Sequence, residues 1–172
     1  LLEVLLETRH PVSIITKSAL IERDLDLLAA LAERGLVNVM MSITTLDDEL
    51  ARRLEPRAPR PARRLQTLQR LHAAGVPVGV LFAPLIPALN DHELEAVVEA
   101  AHAAGARSAG YVLLRLPHEL KELFTDWLSR HAPGRQRHVL SLLADLRGGR
   151  SNDPRFGHRM RGNGVLAELE TE

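Results

Sequence analysis

The sequence predicts an α/β protein built on a parallel sheet, and two features of the chain carry this prediction. Four short segments are rich in branched apolar residues that run nearly continuously, which is typical of strands buried on both faces. Helical patterns separate these segments, and three of the helices end at a glycine that leads into the next segment. The predicted strands are residues 12–16, 37–43, 76–83 and 109–114.

The helices between the strands have apolar stripes at helical spacing and recognisable ends. The second begins with Pro61, and proline is a favourable first helical residue. The third is expected to begin behind Asn90 or Asp91 as its cap. The three helices span residues 21–34, 61–74 and 91–104, and they end at Gly35, Gly75 and Gly105.

Strand patterns stop beyond residue 116. Two further helices are predicted at residues 119–131 and 135–147, and residues 148–164 are rich in Gly, Arg and Asn without a clear period. A closed eight-stranded barrel takes about 250 residues, so four strands predict half of a barrel or an open sheet. We therefore expect a sheet region over residues 1–116 and a helical extension with an Arg/Gly-rich tail over residues 117–172.

Composition excludes several classes of protein. The 172 residues suffice for one domain, and a net charge of zero provides no global field toward nucleic acid or membrane. No apolar run reaches the roughly 18 residues of a membrane span and no secretory pattern opens the chain, so we expect a cytoplasmic protein. The absence of cysteine removes disulfides, thiolate metal sites and cysteine nucleophiles.

Residues 1–7 resemble the middle of a helix without a cap, so we expect the chain to be the C-terminal part of a longer protein.

Lys17 follows the first predicted strand and is one of two lysines in a chain with 20 arginines. Ligands of parallel α/β proteins bind beyond the carboxyl ends of the strands. A lysine there can bind a carboxylate or phosphate as a compact point charge, or it can be a solvated loop residue. Both interpretations stay open on position alone.

Ser42 and Thr44 alternate with apolar residues at the end of the second strand, so both hydroxyls point to one side of the sheet. They can hydrogen-bond a ligand if that side is a barrel interior, and they are ordinary core hydroxyls if it faces the helices. The acidic residues 47–49 then begin a helix for which Thr45 is the expected cap.

Residues 52–64 form the basic run of the chain, with six arginines, one glutamate and three prolines. The prolines predict a stiff loop that could clamp phosphates, although no aromatic residues are interleaved to stack bases. The alternative is a solvated loop with helix-end arginines. The same two interpretations apply to a basic tail that contains Arg147, Arg150, Arg155, His158, Arg159 and Arg161.

The loop after the third strand and the fourth strand offer further polar groups. Prolines 84 and 87 set a fixed loop that leads to a helix N-terminus. The fourth strand carries the only tyrosine, Tyr111, and ends near Arg115.

Sequence motifs of metal sites and hydrolases are absent. His92 and His118 each begin His-Glu without the second histidine of H-E-x-x-H, and no G-x-S-x-G or phosphate-binding glycine loop occurs.

Several strand ends and the loops after them resemble one protein family. They are Ile-Thr-Lys-Ser at residues 15–18, Ser-Ile-Thr-Thr-Leu-Asp at 42–47, Leu-Glu-Pro-Arg-Ala-Pro at 54–59, and residues 83–91, 105–117 and 155–162. Together they resemble the DNA repair photolyase-like branch of the radical S-adenosylmethionine proteins, which includes spore photoproduct lyase. The resemblance covers nearly the whole chain, with Ala88 where a glycine is more usual.

The resemblance implies a six-stranded partial (β/α)6 TIM-like barrel, of which this chain would hold strands three to six. It implies that the full-length family is a lyase-like enzyme with two cofactors, a 4Fe-4S cluster on a C-x3-C-x2-C loop and S-adenosylmethionine. The reduced cluster cleaves S-adenosylmethionine to a 5′-deoxyadenosyl radical that abstracts hydrogen from substrate. The chain has no cysteine, so we expect it to lack the cluster and to be inactive by itself. The hydrogen-donor cysteine of spore photoproduct lyase is also absent.

The resemblance also implies roles for individual residues. Lys17 and Ser42 match residues that contact the methionine carboxylate and the ribose of S-adenosylmethionine, and the backbone of residues 112–114 would line the adenine. An ammonium pairs with a carboxylate and a hydroxyl with a ribose hydroxyl, so these roles are chemically sound. The expected cofactor-binding residues are Lys17, Ser42, Thr44, Pro84, Leu85 and Leu113. The expected substrate-binding residues are Arg57, Arg60, Tyr111 and Arg115, with nucleic acid as the substrate that the relatives suggest.

Two other functions are compatible with the residues. A non-catalytic nucleic-acid-binding module would use the two arginine-rich segments and would bind DNA with steep salt dependence. An unrelated half-barrel enzyme would bind a phosphorylated metabolite at Lys17. Half of a barrel leaves a strand edge unpaired and one sheet face uncovered, so we expect the chain alone to associate with itself or to need the missing half of the barrel as a partner.

Overall fold

The computed structural model describes residues 1–146 of the 172. The basic tail from Arg147 onward and the irregular segment 148–164 lie outside the described residues. None of the helices within the described part is long and apolar enough to cross a membrane.

Helices and strands alternate as predicted. The strands of the described residues form one four-stranded sheet in the order β1-β2-β3-β4, with β1 parallel to β2 and β2 parallel to β3. This is the α/β arrangement of part of a TIM-like barrel. The elements are α1 Leu2–Glu7, β1 Val12–Thr16, a 3-10 helix Ala19–Asp24, α2 Leu25–Ala32, β2 Val37–Ser42, α3 Asp48–Leu54, α4 Pro61–Ala73, β3 Val78–Leu85, a 3-10 helix Asp91–Glu93, α5 Leu94–Ala103, β4 Ser108–Leu113, α6 Leu120–His131 and α7 Gln136–Asp145.

The glycines predicted to end three helices do so in the same geometry. Gly35, Gly75 and Gly105 have φ of 67°, 78° and 105°, in the left-handed region. In each case the glycine N–H and the next N–H bond back to helix carbonyls; at Gly105 the Ala106 N–H donates to the Ala101 carbonyl at 2.9 Å. This closing pattern reverses the chain after each helix and directs it into the next strand.

Replacement of Gly105 with alanine is expected to destabilise the fold more than replacement of Gly35. Both sites have positive φ, so a Cβ costs about 1 kcal/mol at either from backbone strain. At Gly105 the new Cβ would also lie 2.3 Å from Cγ of His72, whereas nothing lies within 4 Å of it at Gly35. We therefore expect a loss of about 1 kcal/mol for Gly35→Ala and about 2–3 kcal/mol for Gly105→Ala. Urea unfolding of both variants checks this, and equal losses would refute it.

The cap predicted for the helix after β2 is wrong. Asp47, not Thr45, caps α3, since its carboxylate accepts from the backbone N–H of Glu49 at 2.7 Å and of Leu50 at 3.2 Å. The Thr45 hydroxyl instead accepts from the Asp47 N–H at 3.0 Å. The carboxylate reaches two helix-end N–H groups and adds charge favourable to the helix dipole, so it takes the cap position.

The cap predicted for the third helix is also wrong. A 3-10 turn occupies Asp91–Glu93, and α5 begins at Leu94 behind Glu93, with no side-chain cap bond. Asn90 does not cap this helix. Its amide bonds the preceding loop, accepting from the Ile86 N–H at 2.7 Å and donating to the Pro84 carbonyl at 3.0 Å. The predicted helix over residues 21–34 is similarly split into a 3-10 turn and α2.

The two faces of the sheet differ in burial. One face is apolar and at most 5% exposed along β2 and the start of β3; its residues are Val37, Val39, Met41, Val78, Val80 and Phe82. On the opposite face Ile15 of β1 is 63% exposed, and Met40, beside it in register, is half-buried. Ser42, two residues after Met40 in β2, lies on this second face, although it is itself only 2% exposed.

Packing divides the described chain into two compact units. The first comprises Leu1–Phe82 and Glu93–Gly110, and the second comprises Ala83–His92 and the described residues from Tyr111 onward. Helices α6 and α7 pack against each other within the second unit. The predicted boundary after residue 116 and the self-association of the chain stay predictions.

Candidate functional site

Lys17 lies in a tight turn at the carboxyl end of β1. The turn is fixed on both sides, because the Thr16 hydroxyl accepts from the Ser18 N–H at 2.9 Å and the Ser18 hydroxyl accepts from the Leu20 N–H at 3.1 Å. The side chain of Lys17 is 36% exposed. The backbone of this lysine is therefore well defined, and its side chain is partly exposed.

The Lys17 ammonium is held by two side chains from the region after β2. It forms an ion pair with Oε1 of Glu55, and its Nζ lies 3.3 Å from Oγ1 of Thr44. The Thr44 hydroxyl in turn donates to Oε1 of Glu55 at 2.9 Å. These three groups form a closed triangle in which one carboxylate oxygen accepts from both partners.

Arg64, in the first turns of α4, holds Glu55 from the buried side. It is 1% exposed, and all three of its guanidinium nitrogens have acceptors. Nη2 pairs with Oε2 of Glu55, Nη1 donates to the Ser42 carbonyl at 3.0 Å, and Nε donates to the Pro59 carbonyl at 2.8 Å. Arg64 therefore ties the end of β2, the α3–α4 loop and Glu55 together.

The charge balance of this cluster keeps Glu55 ionised. Burial is the largest single influence and works to raise the pKa of Glu55, but the hydrogen bonds and charges of Lys17 and Arg64 together outweigh it. They hold the pKa of the Glu55 carboxyl below its ordinary value. One negative and two positive charges leave the cluster with a net charge of +1, on the exposed side at Lys17.

A second carboxylate fixes the loop that carries Thr44. Glu93, just before α5, accepts from the Thr45 hydroxyl at 2.6 Å and from the Leu46 N–H at 2.7 Å. Both carboxylate oxygens are used, so the β2–α3 loop is clamped beside the Lys17 cluster.

The basic run is not one loop, and most of its charges are already engaged. Residues 52–54 belong to α3 and residues 61–64 to α4, so the predicted stiff loop is limited to residues 55–60. The helix signals at both ends outweigh the prolines, since Pro61 itself begins α4. The engaged arginines are Arg53 with Glu49, Arg60 with the Asp48 carbonyl, Arg63 with Glu22, and Arg64 with Glu55.

This arrangement leaves a small basic surface in the first unit. Arg52 and Arg57 are exposed and have no partner among residues 1–146, and the exposed Arg60 uses one nitrogen. Arg57 and Arg60, the predicted substrate-binding pair, are thus both at the surface. Two or three cations fall short of the six that the sequence offered to a nucleic-acid module.

The predicted cofactor-binding residues differ in accessibility. Lys17 is half-exposed, whereas Ser42 is 2% and Thr44 is 1% exposed. The structure brings Lys17 and Thr44 together and links Ser42 to them through its carbonyl and Arg64. A ligand contact by the Ser42 hydroxyl stays a prediction.

The remaining predicted residues belong to the second unit. Leu85 and Leu113 are 3% and 2% exposed, and the Leu114 N–H donates to the Leu85 carbonyl at 2.8 Å. Pro84, Tyr111 and Arg115 are half-buried. Their contacts with adenine or substrate stay predictions.

Two residues of the cluster, Glu55 and Arg64, were not identified from the sequence. Glu55 is the one acidic residue within residues 52–64, and a single carboxylate among six arginines is a signal for a buried ion pair. Arg64 gave no such signal, because its burial depends on how α4 packs beside β2. Across residues 1–146, no three His, Asp or Glu side chains are grouped to hold a metal ion.

Comparison with known proteins identifies the family. The model of the Radical SAM superfamily matches residues 1–101, which include the whole Lys17 cluster. An uncharacterized protein of Mycobacterium tuberculosis is 36% identical over 125 residues, which cover 72% of this chain and 37% of that protein. An uncharacterized protein of Acidianus two-tailed virus is 42% identical over 72 residues, which cover 42% of this chain and 23% of that protein. An uncharacterized protein of Methanocaldococcus jannaschii is 31% identical over 88 residues, which cover 51% of this chain and 33% of that protein.

The chain thus spans little more than a third of the mycobacterial relative it matches. The family match itself extends over more than half of the chain and includes three of the four strands found within residues 1–146. The parallel sheet alternating with helices is the fold expected of that match. On these grounds the chain belongs to the Radical SAM superfamily.

Proposed function

We propose that this chain forms the part of a radical S-adenosylmethionine enzyme that holds the amino-acid end of S-adenosylmethionine, with Lys17 as the carboxylate-binding residue. The observation that supports this most directly is the net charge of +1 on a cluster whose lysine, 36% exposed in its side chain, lies at the carboxyl end of a parallel strand. Ligands of parallel α/β folds bind at that end of the sheet. The single charge matches the single carboxylate of an amino acid.

The residues around Lys17 fit this ligand in number of donors as well as in charge. An ammonium has three N–H donors, and Glu55 and Thr44 occupy two of them. The third is available to a carboxylate oxygen without loss of the existing contacts. On the resemblance to the photolyase-like branch, Ser42 is assigned to the ribose, and Pro84, Leu85 and the backbone near Leu113 to the adenine.

The 4Fe-4S cluster that radical S-adenosylmethionine enzymes in general use does not fit the residues of this chain. Such clusters are held by cysteine thiolates, and the chain has no cysteine. We infer that the cluster ligands come from the missing half of the barrel and that the 172-residue chain does not by itself generate a radical.

The substrate is proposed from the same branch. The name of the DNA repair photolyases suggests nucleic acid, and the exposed Arg57 and Arg60 are suited to pair with phosphates. Tyr111 and Arg115 are assigned to the substrate on the resemblance alone. A free-standing DNA-binding module has less support, because four of the six arginines of the basic run already have partners in the first unit.

Lys17→Met tests the proposed site. Calorimetric titration of the chain with S-adenosylmethionine and with its decarboxylated form separates the carboxylate contact from the rest of the ligand. We expect the unmodified chain to prefer the carboxylated form by about tenfold or more, the effect of one charge-assisted bond. The variant should lose this preference, while Lys121→Met, which removes the other lysine, should keep it. Equal affinities for the two ligands in the unmodified chain would refute the proposal.

A further inference from the structure

We propose that Glu55 is a positioning residue, which fixes the Lys17 ammonium for the carboxylate of a bound amino-acid ligand and is itself fixed by buried Arg64. This inference rests on the proposed function. Without a tether, a lysine on four methylenes occupies many rotamers, and binding must select one of them. With Glu55 and Thr44 holding two of its three donors, Lys17 is already ordered before the ligand arrives.

Glu55 is placed to do this because its own backbone is anchored. Its N–H donates to the Ala51 carbonyl at 2.8 Å at the end of α3, and its carbonyl accepts from the Ala58 N–H at 3.0 Å. Its two carboxylate oxygens bind different partners. Oε2 pairs with buried Arg64, and Oε1 pairs with Lys17. The buried pair is thus the fixed end of the cluster and the lysine is the exposed end.

The charges of Glu55 and Arg64 indicate that Glu55 orients the Lys17 ammonium and does not serve to attract the ligand. A carboxylate beside Lys17 would weaken the attraction for an anionic ligand if it acted alone. Arg64 cancels that charge from the buried side, so Glu55 can orient the ammonium while the cluster keeps its net charge of +1. Removal of Glu55 and Arg64 together therefore leaves the net charge unchanged and removes the tether.

The decisive variant is Glu55→Leu/Arg64→Met, in which apolar side chains of similar volume replace the buried pair. Such replacements of buried ion pairs are often tolerated by the fold. The readout is the preference of the 172-residue chain for S-adenosylmethionine over its decarboxylated form. We expect this preference to fall about fivefold to tenfold, with affinity for the decarboxylated form within about twofold of the original. If Glu55 had a purely structural role, the variant would bind both ligands more weakly by the same factor.

Two further variants keep the test decisive. Glu55→Asp retains the buried charge pair with Arg64 and shortens the reach toward Lys17 by one methylene, so it should lower the preference several-fold in a chain that folds even if the double variant does not. The control Glu22→Gln/Arg63→Met removes another glutamate–arginine pair, which shares no partner with Lys17, and should leave the preference unchanged.

The outcomes separate this inference from the function on which it rests. An unchanged preference in the folded Glu55 variants, with loss of preference in Lys17→Met, overturns the positioning role and leaves the carboxylate site intact. Absence of any preference in the unmodified chain overturns the site itself. Loss in both Glu55 variants but not in the control supports the inference.

Discussion

Arg64→Met is expected to lower the free energy of unfolding by about 3–5 kcal/mol, the cost of leaving one member of a buried ion pair without its partner. Arg64 is 1% exposed, and its three hydrogen-bond acceptors come from β2, the α3–α4 loop and Glu55. Methionine fills a similar volume but satisfies none of them. The Glu55 carboxylate would keep only Lys17 and Thr44 as partners in a partly buried site.

The neighbouring arginine provides the control for this prediction. Arg63 precedes Arg64 in α4 and also pairs with a glutamate, Glu22, but its side chain is 37% exposed. Arg63→Met should cost less, about 1–2 kcal/mol, because the Glu22 carboxylate keeps Arg70 as a partner and Arg63 itself is partly exposed. Guanidinium unfolding of the two variants measures the contrast, and adding Glu55→Leu to Arg64→Met should recover part of the loss. Equal small losses for Arg63 and Arg64 would show that the buried pair does not hold the site together.

Asn90→Ala is expected to cost about 2–3 kcal/mol, because a fully buried amide holds the loop after β3. Asn90 is 0% exposed and bonds the Ile86 N–H and the Pro84 carbonyl, both within the second unit. Alanine would leave these backbone groups without their partner and would add a small cavity. The loss should appear as a lower midpoint in thermal unfolding.

Asn38→Ala is the matched control for Asn90. Asn38 lies in β2, is half-buried, and has no side-chain partner in the described part of the chain. Its replacement should cost less than about 1 kcal/mol. If the two asparagine variants melt at the same temperature, the amide bonds of Asn90 do not hold the loop.

Local signals were sufficient to predict most of the fold. Gly35, Gly75 and Gly105 mark helix ends because only glycine adopts their positive φ without strain, and this requirement is visible in the sequence. Continuous apolar runs likewise predicted the strand boundaries to within two residues. The helix caps predicted at Thr45 and Asn90 were wrong because hydroxyl and amide side chains can bond either a helix start or a neighbouring loop. The tertiary structure decides which of the two they bond.

The candidate site was predictable only in part, for the same physical reason. Lys17 stood out by its type and by its position at a strand end. Glu55 and Arg64 act through contacts with residues that lie 9 to 38 positions away in the chain, and no local pattern encodes such contacts. The basic run was therefore interpreted as one exposed loop, whereas the structure places Arg64 in the core and Arg57 at the surface.

The most direct test of the carboxylate site uses the scarcity of lysine in this chain. With only Lys17 and Lys121 present, selectively labelled lysine gives two side-chain signals in a heteronuclear NMR spectrum, and Lys121 serves as an internal reference. Titration with S-adenosylmethionine should shift the ε-methylene signal of Lys17 in a saturable manner and leave that of Lys121 in place, and the decarboxylated ligand should shift the Lys17 signal less and only at about tenfold higher concentration. A Lys17 signal that does not respond, or that moves only in parallel with Lys121, would contradict the account.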